Sequence, residues 1–314
     1  NIPDKLRTYG TLEAYRILQS SKDSNLPIDL GLWIGGDLQE NNLEIQRALE
    51  ILKEYPNRIQ SVIVGNEVLL RKELEPLELY AYIDFMKSHT KKPVTTAETW
   101  DIWEKNPQLA NHVDFLTIHI LPYWEKVPIE RYNEFIIEKY SVVEELFPNR
   151  KIVIGETGWP SHGYNNNKAV PSIKNQAQAI RGFVNLAHEK GWHYNIIEAL
   201  DQPWKGYDEG NVGQYWGIFT TDRALKFQLA GEVELNKYWL YQMIAAIIIG
   251  ALLTIFGLKN QRVNISHAFA YAIAAQGMAF GIVMAAIYPF VNYMNFGMWI
   301  MWGMGSFLMI PLVI

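Results

Sequence analysis

The sequence predicts an α/β fold of the TIM type, a (β/α)8 barrel lacking its first strand and helix, followed by transmembrane α-helices. Three observations carry that prediction. Over residues 1–237 short apolar runs alternate with amphipathic stretches, the pattern of a parallel sheet covered by helices. Two of the runs end on a glutamate, and barrels carry their reacting groups at the C-terminal lip of the strands. Beyond residue 237 charge almost vanishes: all 33 acidic residues, and all basic residues except Lys259 and Arg262, precede Tyr238.

Taken in order, the apolar runs are 5–9, 28–34, 59–64, 93–99, 113–120, 151–154 and 194–200. Stretches 41–54, 77–89, 129–146 and 174–190 carry apolar residues at helical spacing between them. Seven runs fall one short of a closed barrel, and loss of the first strand and helix accounts for the shortfall. A gap is therefore expected between the strands at Arg7 and Ile196. An open doubly wound sheet is the alternative, but no glycine-rich phosphate fingerprint follows any run. The chain opens on Asn1 and closes on Ile314 inside an apolar run, so it reads as part of a longer protein. With 49% hydrophobic and 13% aromatic residues in 314, it has ample material for a core of this size. Residues 1–237 are acidic, which excludes a nucleic-acid binder, and the absence of cysteine excludes disulfide and thiol chemistry.

The chemistry concentrates where runs stop. Glu156 follows K-I-V-I-G, where Gly155, Gly158 and Pro160 punctuate the end of a buried strand. Glu67 ends a run of the same grammar, I-V-G-N-E, with Asn66 beside it to grip a substrate hydroxyl. Two glutamates on two strand ends of one sheet suit glycosidic bond cleavage, one as acid/base and one as nucleophile. The acid should be raised in pKa by the neighbouring carboxylate and by partial burial. Glu98 is a third strand-end carboxylate, a candidate substrate ligand or an alternative catalytic residue. Tyr9, Trp33, Trp100, Tyr123, Trp124, Trp159 and Trp204 fall at or just past strand ends, where rings offer an apolar face to a sugar; a single such ring is more often core than ligand contact, and it is their grouping at one lip that points to a sugar. Glu198, Asp201 and Lys205 are candidates for binding hydroxyls or orienting Glu156, with a loop cap as the other reading of Asp201. The seven histidines show no ligand spacing, so neither metal nor cofactor is expected. His119 reads either as a buried, hydrogen-bonded histidine or as one facing the site.

Four segments together resemble glycoside hydrolase family 17, the β-1,3-glucanases and glucan transglycosylases: V-G-N-E at 64–67, I-G-E-T-G-W-P-S at 154–161, A-V-P-S-I-K-N-Q-A at 169–177 and E-A-L-D-Q-P-W-K at 198–205. The resemblance covers residues 5 to about 220. It implies a (β/α)8 barrel, a β-glucan substrate and a retaining reaction with Glu67 as acid/base and Glu156 as nucleophile. The family's first strand and helix have no counterpart in this sequence. A glucan-binding or scaffolding module of a polysaccharide synthase that has lost catalysis is the other functional class, and the intact glutamate pair favours the enzyme.

Residues 238–258 hold no charge over the thickness of a bilayer, and Trp239 and Tyr241 sit at their start like interfacial anchors. Further spans are expected at 266–288 and 293–314, broken near 289–295. Lys259 and Arg262 lie in the first loop, which by the positive-inside rule puts that loop in the cytoplasm and the barrel in the periplasm or outside the cell. Members of this kind joined to spans resemble partners of a glycosyltransferase, which implies such a domain in the same full-length chain. The expected partners are thus a β-glucan and the lipid bilayer.

Overall fold

The computed structural model describes residues 4–233, 238–259 and 261–291. It consists of two compact units, Asn1–Gly231 and Glu232–Ile314.

The first unit is a seven-stranded, wholly parallel sheet in chain order: β1 (Leu6–Arg7), β2 (Ile28–Leu32), β3 (Ile59–Asn66), β4 (Val94–Thr99), β5 (Leu116–His119), β6 (Ile152–Thr157) and β7 (His193–Ile196). Parallel strands buried on both faces read as continuous apolar runs, and β2 is buried at all five positions. Six helices connect the strands: α1 (Thr11–Ser20), α2 (Leu38–Glu54), α3 (Pro76–His89), α4 (Trp100–Lys105), α5 (Tyr132–Leu146) and α6 (Ile173–Lys190). Their starts are written locally. Asp37 caps α2 by accepting from the amides of Gln39 and Glu40, and Glu75 and Glu78 form a capping box around Pro76 on α3. Ser172 caps α6, which stops where Gly191 turns left-handed at φ 66°.

The sheet is a near-barrel rather than a closed one. Among the described residues β1 and β7 are its two edges and do not pair, so the gap expected between Arg7 and Ile196 is present. One continuous cleft of about 2970 Å³ takes in both the C-terminal mouth and the slot between those edges, from Leu6 and Arg7 on one side to Tyr194 and Ile196 on the other. A volume above the usual ligand-pocket range has room for several sugar rings. Inside, a polar thread crosses the sheet below the mouth: Lys5 pairs with Asp29 at 2.5 Å, and Ser61 donates to Asp29 at 2.7 Å.

Register shifts occur at Ile63/Asn66 between β3 and β4, at Ile118/His119 between β5 and β6, and at Ile154/Thr157 between β6 and β7. These three lie at the C-terminal ends, while a fourth, at Ile28/Asp29 between β2 and β3, lies at the N-terminal end. Bulges re-aim side chains, and the first three fall where functional groups must converge.

In the second unit α7 (Trp239–Leu258) and α8 (Ile265–Val291) form an antiparallel hairpin. Twenty residues of α-helix extend about 30 Å, and both helices are long and apolar enough to cross a bilayer. Gln276 donates to the Ala246 carbonyl at 3.0 Å, and a methyl group at Gly250 would lie 2.2 Å from the Gln276 amide, so the glycine admits the polar side chain. The helix carries on past Pro289 to Val291, beyond the expected end at 288. The expected third span, 293–314, lies outside the described residues.

Candidate active site

Every charged group of the site comes from the C-terminal lip of the sheet. Arg7 is on β1, Glu67 follows β3, His119 ends β5 and Glu156 is on β6, directly opposite His119 in register. Glu67 has a left-handed backbone, φ 54°, which a non-glycine residue adopts at some cost and which turns its side chain into the mouth. One oxygen of each carboxylate and one ring nitrogen of His119 lie within 4.8 Å of one another. His119 Nδ1 meets Glu67 Oε1 at 2.7 Å, and its Nε2 lies 3.5 Å from Glu156 Oε1.

Arg7 ties the group together. Its Nη1 donates to the Gly155 carbonyl at 2.7 Å, contacts His119 Nε2 at 3.0 Å and lies 3.4 Å from Glu156 Oε1, while Nη2 donates to Asn66 Oδ1 at 2.5 Å. Gly155 makes this convergence possible, since a methyl group there would sit 2.4 Å from Thr117 Cγ2 and 3.1 Å from Arg7 Nη1. Two carboxylates and an imidazole could bracket a divalent ion, but a permanent cation already stands beside them.

Electrostatics separates the carboxyl groups. Burial pushes Glu67 up, yet the hydrogen bond from His119 and the guanidinium groups of Arg7 and Arg71 outweigh it and hold the group below its ordinary value. That corrects the expectation of a raised pKa. Burial pushes Glu98 and Glu198 up to about 7, against two amide hydrogen bonds in the first and Lys205 in the second. The Tyr9 hydroxyl is raised well above its ordinary value by burial and by the Glu156 charge it faces.

Tyr9, Trp33, Asn66, Trp124, Glu198, Trp204 and Lys205 line the cleft as the sequence suggested. Trp33 and Trp204 are 45% and 59% exposed, and Trp124 stacks on Trp216 at a centroid distance of 5.8 Å. Arg71 covers the other face of the Trp33 ring at 4.4 Å. Lys205 donates to Glu198 Oε2 at 2.8 Å, Gln202 donates to the same oxygen, and Glu198 Oε1 is buried without a partner. Asn66 spends its side-chain oxygen on Arg7 and has only its amide left for a sugar hydroxyl.

Four expectations are corrected. Glu98, 0% exposed, turns away from the cleft to accept from the amides of Leu69 at 2.8 Å and Leu70 at 3.3 Å, so it anchors the turn that follows Glu67. Trp159 is also 0% exposed: Gly158 packs against the Ile197 carbonyl, the chain turns inward, and the indole donates to Val170 O. Tyr123, equally buried, donates to Tyr164 O and supports Trp124, Trp159 and Trp216 edge-on from beneath. Asp201 borders the cleft but is committed to Lys226 at 2.6 Å and to the Gly217 amide, which is the loop-cap reading.

Sequence reasoning missed Arg7, Arg71, Glu125, Glu209 and Trp216 as cleft residues. Arg7 had a signal: a strongly charged side chain in the middle of a strand run breaks the local pattern, and such breaks concentrate at functional sites.

Residues 3–217 match the family model described as the BtgE/BtgC glycoside hydrolase domain. A probable family 17 glucosidase of Saccharomyces cerevisiae is 26% identical over 225 residues, 69% of this chain and 57% of the relative. A glucan 1,3-β-glucosidase of Schizosaccharomyces pombe is 27% identical over 244 residues, 71% of this chain and 75% of the relative. Among solved structures, a family 17 β-1,3-glucanosyltransferase of Rhizomucor miehei superposes with a TM-score of 0.65 at 26% identity, over 71% of this chain and 84% of its own; an active-site mutant of that enzyme, with laminaritriose, matches equally. The chain thus spans little more than half the length of the budding-yeast relative. The matched residues make up more than half of the chain, and it belongs to the BtgE/BtgC glycoside hydrolase domain family, within glycoside hydrolase family 17.

Proposed function

We propose that the first unit is a retaining β-1,3-glucan hydrolase or transglycosylase, with Glu156 as nucleophile and Glu67 as acid/base. The observation that carries this is the approach of the two carboxyl groups to within 4.8 Å at one lip. Retaining enzymes hold them about 5–5.5 Å apart, whereas an inverting pair leaves space for a water between them. Glu156 attacks the anomeric carbon as protonated Glu67 gives its proton to the departing glycosidic oxygen, forming a glycosyl ester on Glu156. Glu67 then takes a proton from water or a sugar hydroxyl, which breaks the ester. Trp33, Trp124 and Trp204 supply apolar faces along the cleft, and Tyr9, Asn66, Glu198 and Lys205 supply hydroxyl partners. The relatives' β-1,3-glucan activities and the bound laminaritriose of the Rhizomucor enzyme support the substrate class.

On laminarin, Glu67→Ala should lose on the order of 10²–10⁴-fold in activity. It should be far milder on an aryl β-glucoside with a good leaving group, where added azide should yield the β-glycosyl azide. Glu156→Gln should form no glycosyl-enzyme at all. An α-configured first product from the unmodified protein sinks the retaining mechanism.

We also propose that α7 and α8 tether this unit to a bilayer with the cleft outside the cytoplasm. Lys259 and Arg262, between the two helices, are the supporting charges. A cysteine in place of Gln261 should resist an impermeant maleimide in intact cells while one in place of Asn165 reacts; the opposite labelling pattern reverses the orientation.

A further inference from the structure

An arginine side chain has five N–H donors and no acceptor. Arg7 Nη1 lies 3.0 Å from His119 Nε2, so that nitrogen must offer a lone pair. The ring proton is then on Nδ1, 2.7 Å from Glu67 Oε1 and pointed at it. A doubly protonated imidazolium would set an N–H against the guanidinium. The His119 side chain is completely buried, and that of Arg7 is 4% exposed, so water cannot relieve such a clash.

We infer that His119 is a positioning residue: Arg7 locks its ring as the Nδ1–H tautomer, and that fixed donor orients Glu67 and stabilises its base form, without His119 exchanging a proton with substrate. This rests on the reading of Glu67 as acid/base. It adds which oxygen does the work. Because Oε1 accepts from His119, the transferable proton of Glu67 resides on Oε2, which gives it to the glycosidic oxygen in the first step and recovers it from water or a sugar hydroxyl in the second. The link also couples the two half-reactions. While Glu156 is a free carboxylate it offsets part of the Arg7 charge, and once esterified it does not, so the chain Arg7–His119–Glu67 favours the base form of Glu67 when a base is required.

Several charged groups act on Glu67, so the test must isolate His119. They are Arg7 from β1, Arg71 from the turn after β3, Glu98 from β4, His119 from β5, Glu156 from β6, and Glu209 from the loop after residue 207. Thr99, opposite His119 on β4, does not titrate. His119→Ala removes the donor and leaves the others. His119→Asn keeps an uncharged N–H near the Nδ1 position and cannot titrate.

The readout is the pH profile of kcat/KM on laminarin for the full chain. Its basic limb reports loss of the proton from Glu67, and a lost donor to the carboxylate raises that limb. In His119→Ala the limb should move up by about one pH unit, while in His119→Asn it should stay at the wild-type position. A limb unmoved in His119→Ala, with only the height of the profile reduced, overturns the inference and leaves a structural histidine. A limb displaced equally in His119→Asn overturns it too, because the ring would then be titrating. Azide rescue of Glu67→Ala is run alongside. No rescue condemns the acid/base reading itself, whereas rescue with an unmoved limb condemns only the role of His119. If His119→Ala does not fold, ¹⁵N spectra of the wild-type ring decide: a proton on Nδ1 and none on Nε2 across the active pH range is expected, and a proton on Nε2 overturns the tautomer.

Discussion

Replacing Glu98 with glutamine tests how a buried carboxyl group supports the acid/base loop. Glu98 is fully buried, accepts from the amides of Leu69 and Leu70, and is pushed up to about 7 by burial from an ordinary 4.5. A group whose folded value is raised contributes stability that is fully present below its unfolded value and is lost as pH rises through the folded one. The window therefore runs from about 4.5 to just above 7. At ~1.4 kcal/mol per pH unit, the displacement amounts to on the order of 3 kcal/mol between pH 4 and pH 8. Glutamine resembles the protonated acid in shape but cannot ionise. Near pH 4.5, Glu98→Gln should be less stable than wild type by about 1 kcal/mol, for one weakened amide hydrogen bond. By pH 8 the order should reverse, the variant melting higher by several degrees, since 1 kcal/mol is worth about 2–4 °C in a domain of this size. Thermal midpoints of both proteins measured together at half-unit steps from pH 4 to 8 give the difference curve. Parallel curves, with no crossing in that range, would show that Glu98 does not carry a raised pKa in the folded protein and refute the reasoning.

Other perturbations follow from contacts already described. Gly155→Ala puts a methyl group 2.4 Å from Thr117 Cγ2 and 3.1 Å from Arg7 Nη1; we expect a loss of about 1–3 kcal/mol in thermal stability and a larger fractional loss in glucan turnover, because the displaced group is Arg7. Lys226→Met leaves Asp201, whose side chain is 8% exposed, buried without its cation, and should cost about 3–5 kcal/mol; the double variant Asp201→Asn/Lys226→Met should recover much of it, and a double variant as unstable as the single one would deny the pair. Gln276→Leu removes the hydrogen bond to Ala246 and should weaken the α7–α8 hairpin by about 0.6–1.7 kcal/mol in bilayer or micelle unfolding.

The strands were legible because burial on both faces leaves an unbroken apolar run, and the strand-end glutamates were legible because nothing in packing calls for a charge there. Helices α1 and α4 were not, since ten and six residues give little periodicity to read. Within the site, Glu67 and Glu156 stood out by position, but which strand-end residues face inward depends on bulges one residue long. Such a shift sends Glu98 to the Leu69 and Leu70 amides while Glu156 stays in the mouth. Trp159 illustrates the same limit. Its place beside Glu156 in sequence suggested a sugar platform, and the close packing of Gly158 on Ile197, a contact between distant segments, turns it into the core.

Arg7 matters most where sequence reading was silent, because the reaction needs two carboxylates closer together than they would choose to be. At 4.8 Å and an effective dielectric of about 20, two full negative charges repel by on the order of 3 kcal/mol. Arg7 lies 3.4 Å from Glu156, and on the same scale that attraction is on the order of 5 kcal/mol, enough to offset the repulsion. A lysine could supply the charge, but not the geometry. One guanidinium nitrogen bridges Gly155 O and His119 Nε2 while the other reaches Asn66, so a single planar group fixes positions contributed by β3, β5 and β6. The two carboxyl groups can therefore sit close together in the resting protein, with their orientation set from β1, at the edge of the sheet.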